Sequence, residues 1–345
     1  MNAAAEWSFL QRLRATLREQ GLDATPAQAL RSLVQQGLDR LPLPASGHTL
    51  QRWQALAAVA RHDLALAKLY EGHTDALAIM SELGDVHADN QCTWGTWAAE
   101  APPGRTLIDT GHDRSVRLQG SKCWCSGAAD VDRGLLTAWF GDGRGPQLVS
   151  VAMKQSAVSF DSRAWQAVGM AGSASIDVAF SGAAAELVAE AGDYLARPGF
   201  WQGGAGIAAC WYGGALALGT ALSDAVKESP VSGRNAFRLA ALGRIDVSLL
   251  TTAAVLREAA HWIDAHPRAD ASAVALRSRL AAEASAQLVL SEAGRALGAG
   301  AFCRDARFAR MAADLPVFVR QSHAERDLAA LGERVALGVD EAWSL

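Results

Sequence analysis

The chain has 345 residues, half of them hydrophobic and a fifth charged, with a formal net charge of −4. That length exceeds one small core and implies two or three compact units, and the composition is that of a folded rather than a disordered chain. An acidic balance with no block of five or more Lys/Arg argues against a nucleic-acid footprint, which needs a basic stripe.

The opening MNAAAEWSFLQRLRATLREQ has neither the continuous apolar core nor the cleavage site of an export signal. Trp7, Leu10, Leu13 and Leu17 recur at helical spacing and predict an amphipathic first helix. LPLPASGHT at 41–49 interrupts the region. A second periodic segment then runs over 50–83, with Leu56, Val59, Leu66, Leu69 and Tyr70 near one face. Gly72 inside it costs about 1 kcal/mol relative to Ala, so it marks either tolerant packing or the close approach of another backbone. No run reaches 18 uninterrupted apolar residues, and no membrane-spanning helix is expected.

Over 91–186 the pattern changes. Short apolar runs (RTLID, SVRLQG, LLTAWF, QLVSVAM, IDVAF) are separated by PPG, GDGRGP and SGA, which are turn sequences. They predict an antiparallel β domain with Val116, Leu118, Ile176, Val178 and Phe180 facing inward. From residue 197 onward the pattern is helical again. The segment 206–226 is rich in small residues and allows close helix packing. Two long helices are predicted at 242–266 and 271–298 and a last one over 307–331, which together imply a four-helix bundle. GFWQGGAGIAACW at 199–211 forms neither GxGxxG nor GxxxxGK[ST], and reads as the entry to that bundle, with Trp201 or Trp211 near a pocket. The predicted fold is mainly α with a central β domain. It comprises an N-terminal helical domain over 1–88, an antiparallel β domain over 89–190 and a C-terminal four-helix bundle over 191–345.

Five scattered cysteines (Cys92, Cys123, Cys125, Cys210, Cys303) fit a reducing, cytoplasmic setting better than a disulfide framework. Cys123-x-Cys125 lacks the second ligand pair of a structural zinc site. It also lies at the end of a predicted strand, not as CxxC at a helix start. No metal is expected; the two thiols read as inert fillers beside Trp124.

QGSKCWCSGAADVD at 119–132, followed by LLTAWF, joins WQAVGMAGSASIDVAF at 165–180 and LYEGHTDALAI at 69–79 in one recognisable order. Together these segments resemble the acyl-CoA dehydrogenase flavoprotein family over nearly the whole chain. Gly120, Lys122, Trp124 and Ser126 stand at its G-x-K-x-W-x-S/T positions, and Gly169, Met170, Gly172 and Ser173 at its G-M-x-G-S positions. The resemblance implies FAD, with the ring stacked on Trp124 and the Ser126 hydroxyl at its edge. Flat polarizable rings stack well on indole, and flavin nitrogens and carbonyls need polar partners. TWGTWAAEAP at 93–102 aligns with the family's second flavin strand, which brings Trp97, Ala98 and Ala99 to the flavin largely through backbone groups.

Several family positions are altered. Family members abstract the α-proton of an acyl thioester with a Glu in a desolvated pocket, yet the expected place reads RQSHA at 320–324. His323 and Glu325 are the candidate bases there. The family's R-x-x-F-G survives only as Arg234 and Phe237, with Arg238 where Gly belongs, and its pyrophosphate glycines as Gly298 and Gly300. Arg304, Arg307 and Arg310 read either as phosphate partners or as a solvated helix face. Three functions follow from the resemblance. The first is FAD-dependent oxidation of the Cα–Cβ bond of acyl-CoA or another acyl thioester, with an electron-transfer flavoprotein as electron acceptor. The second is a flavin-dependent oxidase or monooxygenase, and the third a catalytically inactive flavin-binding or scaffold protein. The family also implies a homodimer or homotetramer; charge and hydropathy, as above, point to neither nucleic acid nor membrane as partner.

Overall fold

Local signals set several element ends. In α2 (Pro26–Gln35) the Thr25 hydroxyl accepts from the Gln28 N–H while the Gln28 side chain accepts from the Thr25 N–H. This capping box satisfies two otherwise orphan donors, and Pro26 takes the first helical position, where its missing N–H costs nothing. Helix α1 spans Ala3–Gln20, with Leu13 and Leu17 buried. The segment expected over 50–83 splits at Asp63, whose extended backbone ends α3 (Thr49–His62) before α4 (Leu64–Glu82) begins.

The computed structural model describes residues 3–21, 24–84, 91–100, 104–229, 235–338 and 343. It forms two units: residues 1–43 with 65–200, and residues 44–64 with 201–345. Helix α3 therefore belongs with the C-terminal helices, although the sequence grouped it with residues 1–88.

Among the described residues the first unit carries seven strands: β1 (Trp94–Trp97), β2 (Thr106–His112), β3 (Ser115–Ser126), β4 (Arg133–Phe140), β5 (Gln147–Ala152), β6 (Val158–Asp161) and β7 (Ser175–Val188). The expectation of a purely antiparallel sheet is corrected here: β4 pairs in parallel with both β1 and β2. The connections joining these strands exceed hairpin length, which is what parallel neighbours require. Pairings β2–β3, β3–β7, β7–β5, β5–β4 and β4–β2 return on themselves, so the sheet closes. Val116, Leu118, Ile176, Val178 and Phe180 lie in its core, as their alternation predicts. Ala76, Ile79 and Met80 of α4 pack with Trp94, Leu135, Leu148 and Val188 in a second cluster.

Short helices α5 (Asp193–Ala196) and α6 (Gly199–Gly204) lead to α7 (Ile207–Glu228). In the second unit α7 packs against α3, α8 (Ala236–Ala265), α9 (Ser272–Leu297) and α11 (Ala306–Phe318). The small residues of α7 let α3 approach: a Cβ on Gly213 would stand 2.4 Å from the Ala57 carbonyl oxygen. The single helix expected over 307–331 is interrupted. After α10 (Ala299–Arg304) and α11, the chain leaves helical geometry at Ser322 and Ala324 before α12 (Glu325–Ala336). Among the described residues two helical stretches, 199–228 and α8, are long and apolar enough to cross a membrane by length and composition alone. The first is 72% buried within the chain over its most apolar window, whereas α8 is only 22% buried.

Candidate functional site

The site is built around an irregularity in β3. Val116, Leu118 and Lys122 share one parity and are all buried. Continued strictly, that alternation would bury Trp124 as well. Instead the β3–β7 register steps from Lys122↔Val178 to Cys125↔Ile176, so Cys123 and Trp124 together oppose Asp177. This is a bulge, the device that re-aims side chains next to functional sites. Trp124 adopts φ +59°, a left-handed conformation costing a non-glycine residue about 1–2 kcal/mol. Its N–H donates to Asp177 Oδ1 at 3.3 Å, and its indole points outward, 58% exposed. Beyond the bulge Cys125 and Ser126 turn inward and are buried.

Trp97 has the opposite fate. It is 3% exposed and packs across two glycines; a Cβ on Gly134 would fall 2.2 Å from its ring and one on Gly95 2.4 Å. Its Nε1–H donates to the Ser126 carbonyl at 3.1 Å, so the side chain braces the end of β3 from below. Trp97 thus keeps its side chain in the core, while Ala98 is half-buried and Ala99 exposed.

Facing the bulge, WCSG meets GMAGSAS. Ser126 Oγ lies 2.7 Å from Ser175 Oγ, which lies 2.8 Å from Ser173 Oγ, and the Ser173 hydroxyl donates to the Met170 carbonyl at 2.7 Å. Gly127 N–H donates to the Ser173 and Ala174 carbonyls. Met170 and Ala174, on either side of a single helical turn at Ala171–Ser173, also have positive φ, +59° and +43°. Three strained non-glycine residues thus surround one hydroxyl cluster, and such strain gathers at functional sites. Helix α4 backs this arrangement: a Cβ on Gly127 would touch Leu69 at 3.1 Å, and one on Gly172 would touch Ala65 at 3.2 Å.

Two polar brackets hold the strands in place. Lys122, 2% exposed, donates to Glu100 Oε1 at 2.6 Å, Thr137 Oγ1 at 2.7 Å and the Thr137 carbonyl at 3.0 Å. All three ammonium protons have acceptors. Burial lowers its pKa, and the Glu100 carboxylate opposes that shift. On the other side, His73 and Asp39 are fully buried with Nε2 and Oδ2 3.1 Å apart, while the Trp94 N–H donates to His73 Nδ1 at 3.1 Å. Nδ1 accepts, so the Nε2 proton faces Asp39. The Tyr70 hydroxyl donates to the Leu38 carbonyl at 2.6 Å and the Thr96 hydroxyl to the Gly72 carbonyl at 2.7 Å. Gly72 does mark an approach of β1 to α4. Space does not demand glycine there, since a Cβ would meet Thr96 N at an ordinary 3.5 Å.

The remaining expected residues lie in the second unit. His323 has a 62% exposed side chain; its N–H donates to Asp327 Oδ2 at 3.1 Å and its Nδ1 is 3.4 Å from Asp327 Oδ1. Glu325 is the exposed first residue of α12, where a carboxylate is favoured by the helix dipole. Gly298, φ +68° and ψ −170°, closes α9 and opens α10 in a backbone conformation that glycine adopts freely. Gly300 is exposed within α10. Arg307 donates to the Arg61 carbonyl and Arg310 pairs with Asp63. Arg61 and Arg307 line a cavity of about 370 Å³ that also holds Asp224, Glu228 and Asp305, so its charge is mixed. Trp211 is a core residue, fully buried, with the Arg279 guanidinium over its ring. Arg234, Ala101 and Pro102 lie outside the described residues. Among the described residues no group of three or more His, Cys, Asp or Glu is placed to hold a metal ion. Cys125 is buried, which pushes its thiol up.

No family model matches the sequence, and no curated protein matches it by sequence. Solved structures match it by fold. The dibenzothiophene monooxygenase TdsC from Paenibacillus sp. A11-2, solved with FMN and indole, gives a TM-score of 0.80 at 18% identity over 96% of this chain and 95% of that one. Butyryl-CoA dehydrogenase from Megasphaera elsdenii gives 0.80 at 13% identity over 97% and 99%. The chain has the acyl-CoA dehydrogenase fold. A third structure with the acyl-CoA dehydrogenase fold, KijD3 in complex with FMN and a dTDP-linked amino-keto sugar, gives 0.77 at 19% identity over 98% and 93%. Sequence reasoning nominated Trp124, Ser126 and the GMAGS turn, and the fold brings the two segments together. It named Lys122 and Ser173 as motif positions but missed the contacts around the site: Lys122–Glu100–Thr137, His73–Asp39 and the Ser173–Ser175 chain. Strand parity with Val116 and Leu118 is a signal that could have placed Lys122 inward; no local signal pairs His73 with Asp39.

Proposed function

We propose that this protein is a flavin-dependent oxidoreductase whose flavin ring stacks on the outward indole of Trp124. One observation carries the reading: the bulge holds Trp124 58% exposed on a left-handed backbone. An indole that packed the core would gain from burial and would not need that backbone cost. The flat exposed face, the adjoining Ser126 oxygen and the backbone of residues 97–99 fit a tricyclic ring and its polar edge. TdsC and KijD3 are described with FMN, so the cofactor proposed is a flavin, FMN or FAD. When bound, the flavin supplies hydride acceptance or oxygen activation. The chain supplies the stacking face, the hydroxyl and the strand geometry that hold it.

Of the two reactions, the oxygen-using one is better supported. Removing an α-proton from a thioester needs a desolvated carboxylate with a raised pKa. His323 and Glu325 are solvent-facing residues at a helix start, and TdsC is a monooxygenase. Oxidation of an acyl thioester with an electron-transfer partner is the second reading, supported by the likeness to butyryl-CoA dehydrogenase. The exposed Phe237, Val247 and Leu250 of α8 support self-association, and the five free thiols support a reducing compartment.

The test is an anaerobic titration with oxidised and reduced FMN and FAD, followed by tryptophan fluorescence and visible absorption. Air is then admitted in the presence of acyl thioesters or aromatic sulfur heterocycles. A substrate that gains an oxygen atom supports the leading reading, whereas flavin bleaching by acyl-CoA without oxygen returns the second. Failure to bind flavin in either redox state refutes both.

A further inference from the structure

Each serine hydroxyl has one proton to give, and in the cluster beside Trp124 the destination of every one is determined. Ser173 Oγ sits 2.7 Å from the Met170 carbonyl oxygen. Two oxygens that close repel unless a proton lies between them, and a carbonyl has none, so Ser173 donates to Met170. Ser173 Oγ must then accept from Ser175 at 2.8 Å, and Ser175 Oγ must accept from Ser126 at 2.7 Å. The anchor is fixed: Met170 holds its carbonyl in place through its left-handed backbone and also accepts the Ser173 N–H at 2.9 Å. The Ser126 proton therefore points into the protein. Ser126 keeps 7% of its surface open, and its oxygen has only lone pairs left to offer a ligand.

We propose that Ser173 and Ser175 are positioning residues that turn the Ser126 hydroxyl into an acceptor, so that the site favours reduced over oxidised flavin. The inference rests on the flavin reading above. In oxidised isoalloxazine the central-ring nitrogen N5 carries a lone pair and repels an acceptor. Two-electron reduction places an N–H there, and a Ser126 oxygen facing that atom would then accept from it. The expected preference is about tenfold in dissociation constant, the size of one hydrogen bond made in one state and lost in the other. A tenfold preference raises the two-electron midpoint potential of the bound flavin by about 30 mV.

The experiment measures FMN binding anaerobically in both redox states, and the potential of the bound flavin, for wild type and for S175A, S173A and S175T. Wild type should bind reduced FMN about tenfold more tightly. S175A and S173A each break the chain and free the Ser126 proton to turn outward, so the ratio should collapse toward one, with oxidised FMN gaining affinity. S175T keeps a hydroxyl and should keep the ratio. A purely structural role would weaken both states together and leave ratio and potential unchanged, which overturns the proposal. So does loss of the ratio in S175T to the same degree as in S175A. Wild type that binds both states equally refutes this inference alone, whereas wild type that binds neither refutes the flavin reading with it.

Discussion

Trp124 stands on a backbone that glycine would adopt freely, which makes Trp124→Gly an informative perturbation when set against Trp124→Ala. Both variants lose the same partly buried indole. Only alanine keeps a Cβ at φ +59°. The left-handed cost of about 1–2 kcal/mol is released in the glycine variant, less about 0.5–1 kcal/mol for the greater freedom of glycine in the unfolded chain. W124G should therefore be more stable than W124A by about 0.5–1 kcal/mol, or about 1–4 °C in Tm for a unit of this size. Because the indole is 58% exposed, neither should fall far below wild type without ligand. Flavin binding should behave differently. Both variants lose the stacking face and should bind FMN at least about tenfold more weakly, a change of about 1.4 kcal/mol. The assay is thermal unfolding by circular dichroism without flavin, paired with fluorescence titration of flavin. A glycine variant less stable than the alanine variant, or flavin affinity unchanged in both, would refute the reasoning.

His73→Ala strands the buried Asp39 and leaves the Trp94 N–H without its acceptor. Removing one member of a buried pair costs about 3–5 kcal/mol, and Arg40, 3.3 Å from Asp39, brings the expectation to the lower end, seen as a fall of roughly 6–12 °C in Tm; a fall under about 2 °C would contradict the dyad. Burial raises the Asp132 carboxyl, but bonds from the Thr93 N–H and hydroxyl and from Arg31 outweigh it and hold the pKa below the ordinary value. Its stabilisation is present above the unfolded pKa, near 4, and is lost as pH falls through the folded value. The Tm gap between wild type and D132N should accordingly narrow below about pH 4, and a pH-independent gap would sink the assignment. In native protein a thiol reagent should react first at exposed Cys303, slowly at half-buried Cys123, and at buried Cys125 and Cys210 only on unfolding; early modification of Cys125, read by peptide mass mapping, would place the strand end outside the core.

The order of helices, strands and helices was legible because each rests on a local period, and the family resemblance rested on three short segments that keep their order. The corrections fall where one residue breaks a period. Asp63 ends a helix inside an unbroken apolar pattern and sends α3 to the other unit. Ala324 does the same inside 307–331, at φ +45° with no glycine or proline beside it; Pro316 lies eight residues earlier, within α11. At the site the decisive break is the bulge. Nothing in K-C-W-C-S departs from strand alternation, yet inserting one residue opposite Asp177 exchanges the fates of Trp124 and Cys125, sending the largest side chain out and the thiol in. A local reading cannot find that exchange, because it is enforced from a distance. Asp177 takes the Trp124 N–H, Trp97 takes the Ser126 carbonyl, and the Met170 carbonyl, 44 positions along the chain, decides where the Ser126 proton points. Residue type was enough to nominate an indole and a hydroxyl as a flavin wall. Whether that hydroxyl gives or takes a proton is a tertiary property, and the proposed preference for one redox state depends on it.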